Sequence, residues 1–243
     1  MKVGFDTFRE TGNAKSALID AIAHLGMILY FIFSYWRFDD SFCKKSEDSE
    51  LTNAGFGGNL TESGRMETEA GFSFAERTNE SVTKTGFGAA SCITNCHNPV
   101  RVAADIATKN SDGVDSNGRV PPILLTGTAA DRLVISSGMK DLEQKVSKRA
   151  KRTFDKYSEM ISTEPDTKKI KPSSDTVGGV VAHINKNRSF LASASSSGGL
   201  LLKKDGRVGS AATVGAGFYC NRNGLFPFIF HTFKVRILEN HKK

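Results

Sequence analysis

Apolar and polar positions fall into patterned blocks, set apart by charged or glycine-rich stretches. From Asn13 to about Tyr35 the residues are helix-friendly and grow steadily more apolar, up to Met27-Ile28-Leu29-Tyr30-Phe31-Ile32-Phe33. This predicts a helix capped by Asn13, whose side chain can accept from the open N–H groups of a first turn. Residues 17–36 approach the roughly 20 that span a bilayer. Asp20 and His24 interrupt them, and an Asp at a membrane helix centre costs about 3 kcal/mol. A buried core helix is the better reading, and no membrane partner is expected. A basic leading segment and a small-residue cleavage site, the marks of a signal peptide, are absent here.

Further on, Asp39–Glu50 is a polar connection. Leu51–Leu60 is a turn-rich segment holding Asn53, Gly55 and Gly57. No Gly-Lys-Ser/Thr follows it, so it does not read as a phosphate cradle. Alternating Met66, Thr68, Ala70, Phe72 and Phe74 predict an exposed hairpin over 61–80. Asn98 is the expected cap and Pro99 the first turn of a helix running to about Thr108. Val100, Ala103, Ala104 and Ala107 form its apolar face. Gly118–Gly127 reads as a buried strand entered through Pro121-Pro122, and Ala129–Ser137 as a helix stopped by Gly138.

The pattern then changes. Over 140–174 apolar residues are sparse and basic ones gather, at Lys145, Lys148, Arg149, Lys151, Arg152 and Lys156, then at Lys168, Lys169 and Lys171. We read a linker with a helix at 140–157. The two clusters fit a bipartite nuclear import signal and also a solvated charged connection. Beyond it, Thr176–Ala182 and Ser189–Ser195 are β-like runs around Asn185-Lys186-Asn187. Ser193–Gly199 is a small-residue corner, and Gly209–Cys220 is glycine-rich and expected to end in a strand. Asn221–Lys243 is an aromatic run with a basic end.

With 243 residues, 39% hydrophobic and 24% charged, the chain can bury the core of one domain. A net charge of +7 permits nucleic-acid contact without establishing it, and no direct nucleic-acid partner is expected. Four cysteines are too few for a disulfide scaffold. Cys92, Cys96 and His97 make an incomplete zinc set, so buried thiols are expected, with no metal and no cofactor. Asn59, Asn79 and Asn187 open glycosylation triplets that matter only in a secreted chain.

The chemistry concentrates where the charged linker meets the β run, at Asp175-Thr176-Val177-Gly178. A cut between Asp175 and Thr176 would leave a hydroxyl nucleophile with its own α-amine as base. Such an amine has a reference pKa of about 7.7–8.0, so much of it is unprotonated near neutrality. Ser195-Ser196-Ser197-Gly198-Gly199, Gly206-Arg207-Val208-Gly209 and Gly215-Ala216-Gly217-Phe218-Tyr219-Cys220 follow in order.

This series resembles the N-terminal-nucleophile hydrolases of the asparaginase type, and within them the threonine aspartases. The resemblance implies an α+β fold, a four-layer αββα sandwich. It divides the chain into an α-subunit-like part (1–139), a basic linker (140–175), a β-subunit-like part (176–220) and an unrelated tail (221–243). Self-cleavage at Asp175-Thr176, catalysis by Thr176 with Ser197 beside it, and substrate binding by Arg207 and Lys203 follow by the same resemblance. So do supporting roles for Asn53, Gly55, Gly57, Gly198 and Gly199. Amino-acid-processing relatives carry Asp where this chain has Ser210, which points instead to a threonine endopeptidase cutting proteins after aspartate, nuclear and cytoplasmic, as a homodimer or a heterodimer of cleaved subunits. The family's second subunit extends beyond the segment matched here, so an incomplete sandwich is expected. An inactive fragment that associates with a full-length homologue is the first alternative. An asparaginase or glycosylasparaginase-type amidohydrolase is the second.

Overall fold

The computed structural model describes residues 10, 19, 29–32, 47–78, 81–139, 146–163, 176–184 and 188–220. Their centre is a six-stranded sheet in the order β1-β5-β6-β2-β3-β4. The strands are β1 (Leu29–Ile32), β2 (Thr68–Thr78), β3 (Ser81–Ile93), β4 (Leu124–Thr126), β5 (Val177–Ile184) and β6 (Arg188–Ser197). Among the described residues three helices are delimited beside them: α1 (Pro99–Ser111), α2 (Thr128–Ser136) and α3 (Lys148–Thr163). The two outer pairings, β1 with β5 and β3 with β4, are parallel, and the inner ones are antiparallel. The fold is mixed α+β, as the sequence led us to expect. Among the described residues there is one sheet of the expected two-sheet sandwich.

Strand residues alternate between faces, and here the two faces have different covers. Ala70, Phe72, Phe74, Ala192 and Ala194 pack with Val100, Ala103, Ala104 and Ala107 of α1. The helix comes so close that a Cβ on Gly88 would lie 2.2 Å from the Ala103 carbonyl oxygen. On the opposite face, a Cβ on Gly71 would lie 1.9 Å from the Phe218 ring, which packs with Ala89 and Ala212. A row of serines ties the covering segment down. Ser195 Oγ donates to Ala211 O at 2.9 Å, and Ser193 Oγ accepts from Tyr219 N–H at 2.9 Å.

Several expectations change. The exposed hairpin over 61–80 is instead a central strand, with Phe72 wholly buried and Phe74 nearly so, because small residues on its second face admit a second cover. The buried strand at Gly118–Gly127 shrinks to β4, a three-residue edge strand. Val120 and Ile123 are exposed, and Pro121-Pro122 have no N–H to join a ladder. The helix expected up to Tyr35 gives way to strand β1, paired with β5. Ile19 is helical, and the rest of that stretch lies outside the described residues. No helix among the described residues is long and apolar enough to cross a membrane. Helix α1 does begin at Pro99, but the Asn98 side chain makes no cap bond. Glu47 takes that role, accepting from Val100 N–H at 3.3 Å. The end of the chain's matched part, Gly209–Cys220, holds a short 3-10 turn at Ser210–Ala212 and an isolated bridge, Val214 to Phe218, rather than a strand.

The linker helix lies later than 140–157, and its first turn is docked. Ala150 is buried with Leu60 and Met66, and Phe154 packs on them. The Arg149 guanidinium donates to the carbonyls of Thr52 at 3.1 Å and Gly57 at 2.8 Å, and to that of Glu50. The second basic cluster and the aromatic tail lie outside the described residues.

Candidate active site

Thr176 immediately precedes β5. Its neighbour Val177 pairs with Ser196 and points into the α1 core. Alternation therefore turns Thr176 to the other face, beside Ser197. The Thr176 hydroxyl donates to Ser197 Oγ at 3.0 Å. Ser197 Oγ also accepts from Gly199 N–H at 3.0 Å and is nearly inaccessible. Ser197 is thereby held from its own backbone turn, and Thr176 is half-buried. A Thr hydroxyl whose hydrogen is directed at Ser197 Oγ turns its lone pairs toward an incoming carbonyl. Asp175 lies outside the described residues.

The turn after Ser197 is clamped by the segment around Asn53. Gly198 N–H donates to Asn53 O at 2.8 Å. The Asn53 and Asn59 amides both donate to Gly199 O, at 2.8 and 3.0 Å, and Asn59 N–H returns a bond to Asn53 Oδ1 at 2.9 Å. Two backbones meet here without side chains between them: a Cβ on Gly198 would lie 2.5 Å from Gly58 Cα. Gly199 has φ +77°, a conformation open to glycine. Gly55 and Gly57 occupy equally closed places, where a Cβ would meet the Glu47 and Thr52 carbonyls. Arg149 holds the same loop from outside through the Thr52 and Gly57 carbonyls.

Lys203 and Arg207 are placed very differently. Lys203 is only 4% exposed, and its ammonium donates to Glu67 O at 2.8 Å. Burial depresses its pKa, opposed by the charges of Glu69, Cys92 and Glu67. It supports the floor under Gly199 rather than facing solvent. Arg207 is exposed on the turn that follows Asp205-Gly206, where a guanidinium fork can meet a carboxylate bidentately.

Three buried acids escaped the sequence reading. Glu47 is wholly buried, accepts from Ser196 Oγ at 2.5 Å, and has a pKa pushed up to about 8, chiefly by burial. Among the described residues its Oε2 has no hydrogen-bond partner. Glu67 and Glu69 lie under the Arg207 turn. The signal for the last two was present in the period-2 pattern, which places Glu69 on one face with Gly71 and Ser73. Glu47 sits in a charged stretch that nothing in the sequence marks as buried. Cys92, Cys96 and Cys220 are buried and outside any disulfide, and burial pushes the Cys220 thiol up to about 12. Among the described residues, no group of three His, Cys, Asp or Glu could hold a metal ion.

Comparison with known proteins adds a family. The asparaginase family model matches residues 40–225. The isoaspartyl peptidase/L-asparaginase of Bos taurus is 26% identical over 224 residues, covering 91% of this chain and 58% of the bovine one. That of Xenopus laevis is 27% identical over 222 residues, 90% of this chain and 58% of its own. A plant-type L-asparaginase of Pyrococcus abyssi is 28% identical over 192 residues, 73% of this chain and 54% of its own. The chain thus spans a little over half the length of these relatives.

Proposed function

The chain belongs to the asparaginase family, and from that premise we propose that it is an N-terminal-threonine amidohydrolase acting on amides of aspartate. The observation that carries this reading is the 3.0 Å bond between the Thr176 and Ser197 hydroxyls at the head of β5. The relatives named isoaspartyl peptidase/L-asparaginase support the substrate class.

Activation would come first. The Thr176 hydroxyl attacks the Asp175 carbonyl carbon, the C–N bond breaks, and the peptide becomes an ester. Water then splits the ester, leaving an Asp175 carboxyl and a free Thr176 amine. In turnover the same oxygen attacks the substrate amide carbon. The α-amine takes the hydroxyl proton and passes it to the leaving nitrogen. Water hydrolyses the acyl ester, releasing aspartate and restoring the hydroxyl. Arg207, exposed on its turn, receives a substrate carboxylate.

A second reading, cutting of proteins after aspartate, is favoured by Ser210. This uncharged residue opens the 3-10 turn beyond Arg207, where amino-acid-processing relatives have an Asp for the substrate amine.

Intact mass tests activation: pieces 1–175 and 176–243 are expected from the wild-type chain, and full length only from Thr176→Ala. Full-length mass in both would overturn the catalytic reading. Ammonia release from L-asparagine and amine release from a β-aspartyl dipeptide test the first substrate class. Cleavage of an aspartate-containing peptide with neither small substrate consumed would select the second.

A further inference from the structure

The turn that carries Arg207 rests on two buried carboxylates. Gly206 N–H donates to Glu67 Oε2 at 2.8 Å, and Gly209 N–H donates to Glu69 Oε2 at 2.6 Å. These two donors bracket Arg207-Val208. Both acids are under 5% exposed, and carboxylate–backbone bonds in such surroundings are stronger than neutral ones. Gly209 leaves no slack, since a Cβ there would lie 2.3 Å from Glu69 Oε1.

Glu69 has a second attachment. Its backbone pairs directly with Ser197 across β2 and β6, and Ser197 holds the Thr176 hydroxyl. One residue thus touches the nucleophile's neighbour with its backbone and the arginine's turn with its side chain. Ser91 Oγ donates to the same carboxylate oxygen at 3.2 Å. The buried Lys203 ammonium lies close enough to both acids to feel their charge.

We propose that Glu69, assisted by Glu67, is a positioning residue that sets the distance between the Thr176–Ser197 pair and Arg207, and so the enzyme's preference for ligands bearing a carboxylate there. The proposal rests on the aspartate-directed reading above and deepens it. It makes no use of chemistry at Glu69 itself. A fork of donors recognises a carboxylate only when it is held within a few tenths of an ångström of its place.

The test is calorimetric binding to the full chain of L-aspartate and of its α-carboxamide. The wild-type chain is expected to prefer the carboxylate, and Arg207→Ala to abolish the preference. Glu69→Ala should reduce it about tenfold, and Glu69→Gln, which keeps an acceptor for Gly209 N–H, should restore most of it. Should Glu69→Ala not fold, Glu69→Asp retains the charge but withdraws it by one methylene, and the same loss is expected. A role in stability alone would weaken both ligands equally, and an unchanged preference in Glu69→Ala or Glu69→Asp overturns the proposal. Neither ligand binding to the wild-type chain overturns it too. Binding with the expected preference but no hydrolysis refutes the amidohydrolase reading and leaves the role of Glu69 standing.

Discussion

On β2 and β6 the even-numbered residues Ala70, Phe72, Phe74, Ala192 and Ala194 meet α1, whereas the odd-numbered Glu69, Gly71, Ser193 and Ser195 meet the segment 203–219, and Ser197 on the same face meets Thr176. The first face is held by apolar area, which is indifferent to direction. The second is held by the Phe218 ring and, around it, by polar groups, each of which needs a partner in the right place because an unpaired buried one is costly. Area tolerates small displacements, and hydrogen bonds between fixed elements do not. The catalytic candidates sit on the face with the directional contacts, so stability and chemistry are assigned to opposite sides of the same strands.

The largest expected effect tests that separation. Thr176→Ala should abolish self-cleavage and leave the melting temperature unmoved, since it removes one half-buried hydroxyl, whereas Phe72→Ala should cost about 3–5 kcal/mol in denaturant unfolding. Comparable destabilisation by both would break the division between faces.

Glu47 is a buried acid on the apolar face, and its pH behaviour sharpens the comparison. It is bonded to Ser196 and to the first turn of α1, with Asn98 and the Arg101 charge nearby. Its folded pKa of about 8 lies above the ordinary 4.5, so between those values the folded protein holds a proton that the unfolded chain has lost. Stability must therefore fall as pH rises through this window, with a limiting slope of about 1.4 kcal/mol per pH unit from this group. Glu47→Gln removes the slope, and urea unfolding at pH 5, 6.5 and 8 should show a flatter profile. An unchanged profile would mean that Glu47 is ionised throughout.

The smallest effect belongs to the serine row. Ser193→Ala leaves the Tyr219 N–H and the Ser73 hydroxyl each short of one partner. It is expected to cost about 1–2 kcal/mol, seen as a modest shift in urea midpoint. No shift would show that the second cover is held by Phe218 alone.

The sequence disclosed these regions unequally. Thr176, Ser197 and the Asn53 segment were legible because their residue types recur in order in a known family. The structure brings them together across more than 120 positions of chain. The periodicity of β2 was legible too, but its burial was not. A period-2 pattern marks a half-buried strand, and only the Phe218 ring over Gly71 converts it to a central one. Leu124 and Ile123 misled in the opposite sense, being apolar at an edge that the described residues leave uncovered. Glu47 was invisible because burial of a lone carboxyl depends on three elements that converge from distant parts of the chain. The late start of α3 follows from a tertiary event, the docking of Arg149 and Ala150, which local propensity does not encode.

One feature of the sheet order bears on what a cut before Thr176 would produce. Strands β5 and β6 belong to the downstream piece, yet they lie between β1 and β2 of the upstream piece. The severed hairpin would be interleaved, with a ladder to the other piece along each of its outer edges. It could leave only by unzipping both at once. Processing would therefore change the covalent count of the molecule without changing its number of particles. Two bands on a denaturing gel would travel as one body in solution, and rebuilding that body from separately made halves would require opening a gap in the middle of a sheet.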